Sequence, residues 1–307
     1  MLEWFAKRFI IIYYLLLKMF KHIYYFILAL RPKQRIKNIV VFIPLLFSHL
    51  FMNPNSILRV FIIFIVFSVF IGCTYVFNDY KDLEKDKNHP HKKNRPLVSW
   101  KLNKKFALIL SSVFLIGSLL FSFFFWWSIV WILFIIYLIN TILYTLCFKH
   151  IVIVDVFSIA LGFVIRWLIW TFIINVEISP RFLTILFFWA LWFWFLKRYQ
   201  EVMLSSDIRV NIDKYNESFL EQVISIVTWI VIISYALYTF NSVQTKLMVI
   251  TIPFLSFIII RYYYNIFYLK KYEDSIETII LQDKSIVICS ILLFILILAL
   301  LCVNNIQ

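Results

Sequence analysis

The stretch SILRVFIIFIVFSVFIGCTYVFNDYKDLEKD, residues 56–86, decides how the chain is read. Residues 56–77 carry a single charge, Arg59. They are long enough to cross the hydrocarbon core of a bilayer, which takes about 20 apolar residues in a helix. The run then closes on Asn78-Asp79-Tyr80-Lys81-Asp82-Leu83-Glu84-Lys85-Asp86. Asp79, Asp82 and Asp86 stand at i, i+3 and i+7, which on a helix is one face. Unpaired, three such carboxylates repel one another. A divalent cation removes the repulsion, and magnesium favours a few carboxylates plus substrate phosphate oxygens. A solvated juxtamembrane helix with alternating Lys and Asp is the plainer alternative.

The rest of the chain carries the same apolar signature. Of 307 residues 63% are hydrophobic and only 15% charged, and the mean hydropathy is +0.90. A soluble domain has about 45–50% apolar and about 25% charged residues. One soluble core cannot hide this much apolar surface. Disorder, collagen, coiled coil and a disulfide scaffold fail on the same numbers. The expected fold is an all-α integral membrane bundle of nine transmembrane helices, near residues 38–52, 56–77, 105–125, 127–146, 151–175, 182–197, 219–240, 246–268 and 285–303. Residues 1–30 are expected as an N-terminal amphipathic extension and 31–307 as one membrane domain. The apolar stretch 9–30 is interrupted by Lys18, Lys21 and His22, which reads as a helix lying in the interface. Its alternative is a tenth span. Cys73, Cys147, Cys289 and Cys302 form no CxxC pair and read as buried small hydrophobes.

The formal net charge is +14. In a soluble protein that would suggest nucleic acid. Here topology explains it, and no nucleic-acid partner is expected. With nine spans and an inner N-terminus, 25 of the 30 Lys and Arg residues fall on the cytoplasmic side. Arg59, Arg181 and Lys246 fall outside, and Arg166 and Arg261 within spans. That is a strong positive-inside bias. Of the acids, only Glu177 lies outside. Asp and Glu contribute little to topology, so an inner face rich in both signs points to a cytoplasm-facing polar cavity for a metal-bound anion. The expected location is the cytoplasmic membrane.

Further clusters recur at the same face. His89-Pro90-His91-Lys92-Lys93-Asn94-Arg95-Pro96 is a proline-punctuated turn whose Lys92, Lys93 and Arg95 can point at an anion. Lys197-Arg198-Tyr199-Gln200-Glu201 ends the sixth span with a cation pair suited to phosphate. Lys149-His150 precedes Asp155, Gly162 and Arg166, and ionisable residues inside a span usually line a polar cavity. Asp155 and Arg166 are three helical turns apart, too far for direct contact. Arg31-Pro32-Lys33-Gln34-Arg35-Ile36-Lys37-Asn38 fits anionic lipid or a lipid-phosphate substrate. Glu273, Asp274, Glu277 and Asp283 gather before the last span.

Taken together these pieces resemble the UbiA superfamily of intramembrane prenyltransferases. Asn78–Asp86 is similar to its NDxxDxxxD signature. One branch, the polyprenyl-phosphate phosphoribosyltransferases, is resembled more widely. Arg31–Asn38 is similar to RPxQWxKN, His89–Pro96 to HPxKxxRP, and Lys197–Glu201 to KRYxE. Lys149, His150, Asp155, Val156, Gly162, Phe163 and Arg166 follow the branch's Lys-His, Asp-Val, Gly-Phe and Arg run, and Leu281–Lys284 resembles LxDR. Three positions depart: Arg35 replaces Trp, Trp100 stands where Gly usually follows Ser99, and Lys284 replaces Arg.

The resemblance implies transfer of a 5-phosphoribosyl group from phosphoribosyl diphosphate to a polyprenyl phosphate. Asp79, Asp82 and Asp86 would hold Mg2+, with Asn78 beside them. Lys92, Arg95, Lys197 and Arg198 would bind donor phosphates, with Glu201 and Lys149 in the same binding set. Asp155 is a candidate for a ribose hydroxyl or the metal. Lys33, Lys37 and Arg166 are candidates for the acceptor phosphate. A homo-oligomer is left open. The runner-up is an aromatic prenyltransferase using a prenyl diphosphate. That class carries a second acidic motif after the sixth span, where this chain has Lys197-Arg198. Asp213, Glu217 and Glu221 are spaced by four and could form an acidic face instead. A transporter fits less well, because the charges sit at one face and no internal repeat is present.

Overall fold

A computed structural model describes residues 2–32, 53–87, 92–126, 129–176, 179–204, 212–240, 246–271 and 276–304. Among them there is no strand. The helices are α1 (Leu2–Ala29), α2 (Pro54–Lys81), α3 (Leu83–Lys87), α4 (Lys104–Trp126), α5 (Ile129–Leu146), α6 (Val154–Ile173), α7 (Pro180–Met203), α8 (Glu217–Phe240), α9 (Ile252–Phe267), α10 (Ile276–Gln282) and α11 (Lys284–Asn304). Seven segments of the described chain are long and apolar enough to cross a membrane, and Lys284–Leu300 is a shorter apolar helix. These correspond to eight of the nine expected spans. The ninth, near 38–52, lies outside the described residues, as do Lys33, Lys37, His89 and His91. The protein is a multi-pass, all-helical membrane protein.

The chain divides into two compact units, 1–145 with 165–177, and 146–164 with 178–307. Helix α6 gives its first residues to the second unit and the remainder to the first.

In the first unit α2 packs along α4. The buried residues of α4 are all small: Ala107, Ser111, Ser118 and Ser122. Small side chains at such a face let helix backbones approach closely. The Ser118 and Ser122 hydroxyls donate to the Phe114 and Leu119 carbonyls, at 2.7 and 2.9 Å, which satisfies them where water is absent. Phe67, Phe70, Phe134, Tyr137, Ile169 and Trp170 form an aromatic core between α2, α5 and the end of α6. Asn53 caps α2, accepting from the Asn55 and Ser56 amides, with Pro54 at the first helical position. A third cluster joins Phe26 and Ala29 of α1 to Val76, Leu83, Leu97, Val98, Leu102 and Ala107. Residues 2–29 are therefore one helix whose last turn packs into the first unit.

In the second unit α7 packs on α8, and α9 on α11. The core runs through Ala160, Leu191, Phe195, Leu220, Ile224 and Ile259. Trp192 lies within it and donates its indole N–H to the Thr228 hydroxyl at 2.9 Å. Cys73 and Cys289 are buried as expected, whereas Cys147 is exposed. It sits in the turn that ends α5.

Candidate functional site

Within the first unit the polar residues converge at the C-terminal end of α2. The helical path is interrupted at Asp82 (φ −94°, ψ 10°) and resumes in α3. The amide of Asp82 still donates to the Asn78 carbonyl and that of Asp86 to the Asp82 carbonyl. One near-continuous helical path thus brings Asp79 and Asp86 onto the same cation. Arg95 Nη1 donates to Asp79 Oδ1 at 2.8 Å and to Asp86 Oδ2 at 2.5 Å. Arg31 donates to Asp79 Oδ1 as well, and Lys92 Nζ lies 3.7 Å from Asp86 Oδ1. Both carboxylates are buried. The three cations keep 19–27% of their side chains exposed.

The sequence builds each arm locally. Arg31 follows the end of α1 in a left-handed conformation (φ 57°), its amide bonded to the Leu28 carbonyl. A non-glycine residue there costs about 1–2 kcal/mol. The turn sends its guanidinium to Asp79 and over the Tyr75 ring at 4.8 Å. Arg95 sits in a loop pinned by buried Leu97, Val98 and Leu102. That loop closes at Trp100, also left-handed (φ 59°). The indole is exposed and lies under Lys104 Nζ at 4.0 Å.

The donor set suits a divalent cation. Two buried carboxylates already share one cationic nitrogen. Asn78 Oδ1, in the residue before Asp79, is buried and has no hydrogen-bond partner among the described residues. Magnesium binds through one or two carboxylates and leaves its other positions to water and substrate phosphate. Among the described residues no group of three His, Cys, Asp or Glu side chains gathers to hold a metal ion, and Arg95 joins Asp79 and Asp86 only.

The second unit holds a different polar cluster. Asp155, in the first turn of α6, is 1% exposed and Arg198 on α7 is 0% exposed. Arg198 Nε donates to Asp155 Oδ2 at 2.8 Å, and its Nη1 donates to Glu201. The Tyr215 hydroxyl donates to Asp155 Oδ1 at 2.5 Å and accepts from the Ile153 amide at 2.8 Å. Burial, together with the bond to Asp155, pushes the Tyr215 hydroxyl well above its ordinary value, so it stays a donor. Lys197 places its ammonium 4.9 Å from the Trp194 ring centre. Lys149 is half-buried in the short turn Phe148–His150.

Two further placements matter. Asp155 takes Arg198 as its partner. Arg166 belongs to the first unit and donates to the Tyr137 hydroxyl at 3.1 Å. Asp283 caps α11, accepting from Arg261 Nε at 2.9 Å, Asn265 Nδ2 at 2.8 Å and the Ser285 amide at 2.9 Å. Its burial raises the carboxyl, but the Asn265, Arg261 and Ile286 bonds outweigh this and hold it below the usual range.

Sequence reasoning put Arg31 in a general basic block and missed Tyr215. The signal for Arg31 was its place in the Arg-Pro pair that ends the first helix. Tyr215 lies in a polar loop with no spacing rule to mark it.

The fold and the site define an all-helical, multi-pass membrane protein with buried carboxylates and cations at helix ends. The chain belongs to the UbiA prenyltransferase family, whose model matches residues 41–279. Among curated relatives, decaprenyl-phosphate phosphoribosyltransferase from Corynebacterium glutamicum is 29% identical over 223 residues, covering 70% of this chain and 67% of that one. The Mycolicibacterium smegmatis protein of the same name is 27% identical, covering 69% of each chain. Among solved structures, a UbiA homolog from Archaeoglobus fulgidus bound to DMAPP and Mg2+ is similar with a TM-score of 0.60 at 17% identity, over 81% of this chain and 88% of that one. A digeranylgeranylglyceryl phosphate synthase structure is similar with a TM-score of 0.63 at 19% identity, over 92% and 96%.

Proposed function

We propose that this protein transfers a 5-phosphoribosyl group from phosphoribosyl diphosphate to a polyprenyl phosphate, releasing diphosphate, with Mg2+ as cofactor. The observation that carries this reading is the Asp79–Arg95–Asp86 bridge with Arg31 and Lys92 around it. It is a mixed-sign site able to hold both a metal and a polyanion. The names of the relatives, decaprenyl-phosphate phosphoribosyltransferases, support the choice of substrates.

In the reaction the bond from ribose C1 to the diphosphate oxygen breaks, and a phosphate oxygen of the lipid forms the new bond to C1. The lipid phosphate is already an anionic nucleophile, so no strong general base is needed. Positioning and electrostatics carry the rate. Asp79, Asp82 and Asp86 would hold Mg2+, with Asn78 contributing its free oxygen. The ion would neutralise charge growing on the leaving diphosphate. Arg31, Arg95 and Lys92 are bound to carboxylates but partly exposed, and they are assigned to the diphosphate. In the second unit, Asp155, Lys197, Arg198, Glu201 and Lys149 are assigned to donor recognition. Lys33, Lys37 and Arg166 are assigned to the acceptor phosphate.

The cytoplasmic side is the proposed location of the site, supported by the positive-inside distribution. The stretch 9–30 is proposed to lie in the interface, supported by its Lys18, Lys21 and exposed Tyr13, Tyr14 and Tyr24.

The test uses the purified full chain in nanodiscs with phosphoribosyl diphosphate, Mg2+ and a polyprenyl phosphate. Diphosphate release that depends on the lipid phosphate is the expected result. Release independent of lipid, or consumption of a prenyl diphosphate onto an aromatic acid, contradicts the reading.

A further inference from the structure

We infer that Tyr215 is a positioning residue: its hydroxyl, held between the Ile153 amide and the Asp155 carboxylate, locks the Asp155–Arg198–Glu201 chain in one arrangement. Four observations within the second unit carry this. First, the hydroxyl is bonded on both sides, donating to Asp155 Oδ1 at 2.5 Å and accepting from Ile153 N at 2.8 Å. Second, Ile153 is left-handed (φ 72°). A β-branched residue reaches that region only under constraint, and it does so here with its amide turned onto the tyrosine. Third, Asp155 spends its other oxygen on Arg198 Nε at 2.8 Å. Tyr215 therefore fixes the rotation of the carboxylate that aims the guanidinium. Fourth, Tyr215 is itself anchored: it is 5% exposed, it belongs to the core with Val156 and Tyr199, and its amide bonds the Ile212 carbonyl.

The hydroxyl does two jobs at once. It satisfies an amide that the left-handed turn points away from the helix. It also supplies a neutral donor to a carboxylate whose second oxygen is already committed to a cation. A buried ion pair holds one geometry only when its remaining lone pairs are satisfied. Without the hydroxyl, Asp155 can rotate, and the Ile153 amide loses its partner. Tyr215 touches no reacting atom in this scheme. It acts on the reaction through Asp155 and Arg198, and the kinetic consequence rests on the proposed donor role of those two residues.

The experiment compares wild type, Tyr215→Phe, Asp155→Asn and the double variant, each as the full chain in nanodiscs. Hydrogen exchange of the Ile153 amide is the readout independent of activity. Tyr215→Phe is expected to speed that exchange at least tenfold while the amides of α8 keep wild-type protection. Wild-type exchange at Ile153 overturns the lock. Kinetically, Tyr215→Phe is expected to raise KM for phosphoribosyl diphosphate about 5- to 30-fold with kcat within about threefold of wild type. The double variant should be no worse than Asp155→Asn alone, because the two residues act as one unit. Multiplying effects, or a Tyr215→Phe enzyme with wild-type KM, overturn the positioning role. If wild type transfers no phosphoribosyl group at all, the proposed reaction fails, while the exchange measurement still decides whether Tyr215 holds the chain.

Discussion

The two polar clusters use the same residue types and differ in access. At the end of α2, Asp79 and Asp86 are buried but their partners Arg31, Lys92 and Arg95 keep about a fifth to a quarter of their side chains exposed. In the second unit, Arg198 is fully buried and its partner Asp155 is 1% exposed. A partly exposed cation can trade a carboxylate for an incoming anion at small cost, since water solvates it during the exchange. A sealed one cannot leave without stranding a buried charge. The first cluster is thus built to exchange partners and the second to keep them. A cluster that keeps its partners can still serve the donor by holding its groups in one place, as proposed for Asp155 and Arg198, whereas one that exchanges them can take up the leaving diphosphate itself.

Two experiments bear on this difference, and two smaller effects lie outside the clusters. The largest effect is expected at the exchanging cluster. Asp79→Asn or Asp86→Asn should lower turnover at least 100-fold, consistent with loss of charge stabilisation at the leaving group, while the purified protein keeps its thermal midpoint within a few degrees. Activity near wild type in either variant would show that the cluster is scaffold after all.

Next is the sealed cluster. Arg198→Met should destabilise the protein by about 3–5 kcal/mol, because Asp155 and Glu201 are left buried beside an apolar side chain. Arg95→Met leaves Asp79 with Arg31 and Asp86 with Lys92, so it should cost less stability than Arg198→Met yet raise KM for the donor. Thermal unfolding followed beside kinetics checks both. Equal stability losses in the two variants would erase the distinction drawn here.

How much of this was readable beforehand depends on what each feature rests on. The spans were legible because bilayer thickness converts directly into run length, as in residues 56–77. The acidic face was legible because helical spacing turns Asp79 and Asp86 toward one side even across the break at Asp82. The partners were not. Arg31 reaches Asp79 from 48 residues away through a left-handed turn, and Tyr215 reaches Asp155 from 60 residues away. Such pairings arise from tertiary packing, and no local periodicity encodes them. The burial of Arg198 was also hidden, since Lys197-Arg198 at a helix end reads equally well as an exposed phosphate clamp.

A smaller effect concerns pH. Asp283 has its folded-state carboxyl held below the usual range, so its contribution to stability is present above the ordinary aspartate value of about 3.9 and is lost as pH falls through the lower folded value. Asp283→Asn should remove that acid-dependent part. Thermal midpoints of the two proteins between pH 6 and pH 3 should converge at the acid end, and a constant gap across the range would contradict the assignment.

The smallest effect lies at the left-handed turn. Trp100→Gly and Trp100→Ala both remove the indole over Lys104, but only glycine relieves the strain at φ 59°. The alanine variant should be less stable than the glycine variant by about 1 kcal/mol. Equal midpoints would mean that the turn relaxes when the indole is gone.

The mass of the lipid product formed by the purified chain from phosphoribosyl diphosphate, Mg2+ and a polyprenyl phosphate decides the reaction. A product heavier than the acceptor by one phosphoribosyl group, made by wild type and absent with Asp79→Asn, is the predicted result. The same product from Asp79→Asn at the wild-type rate, or no such product from wild type, would contradict it.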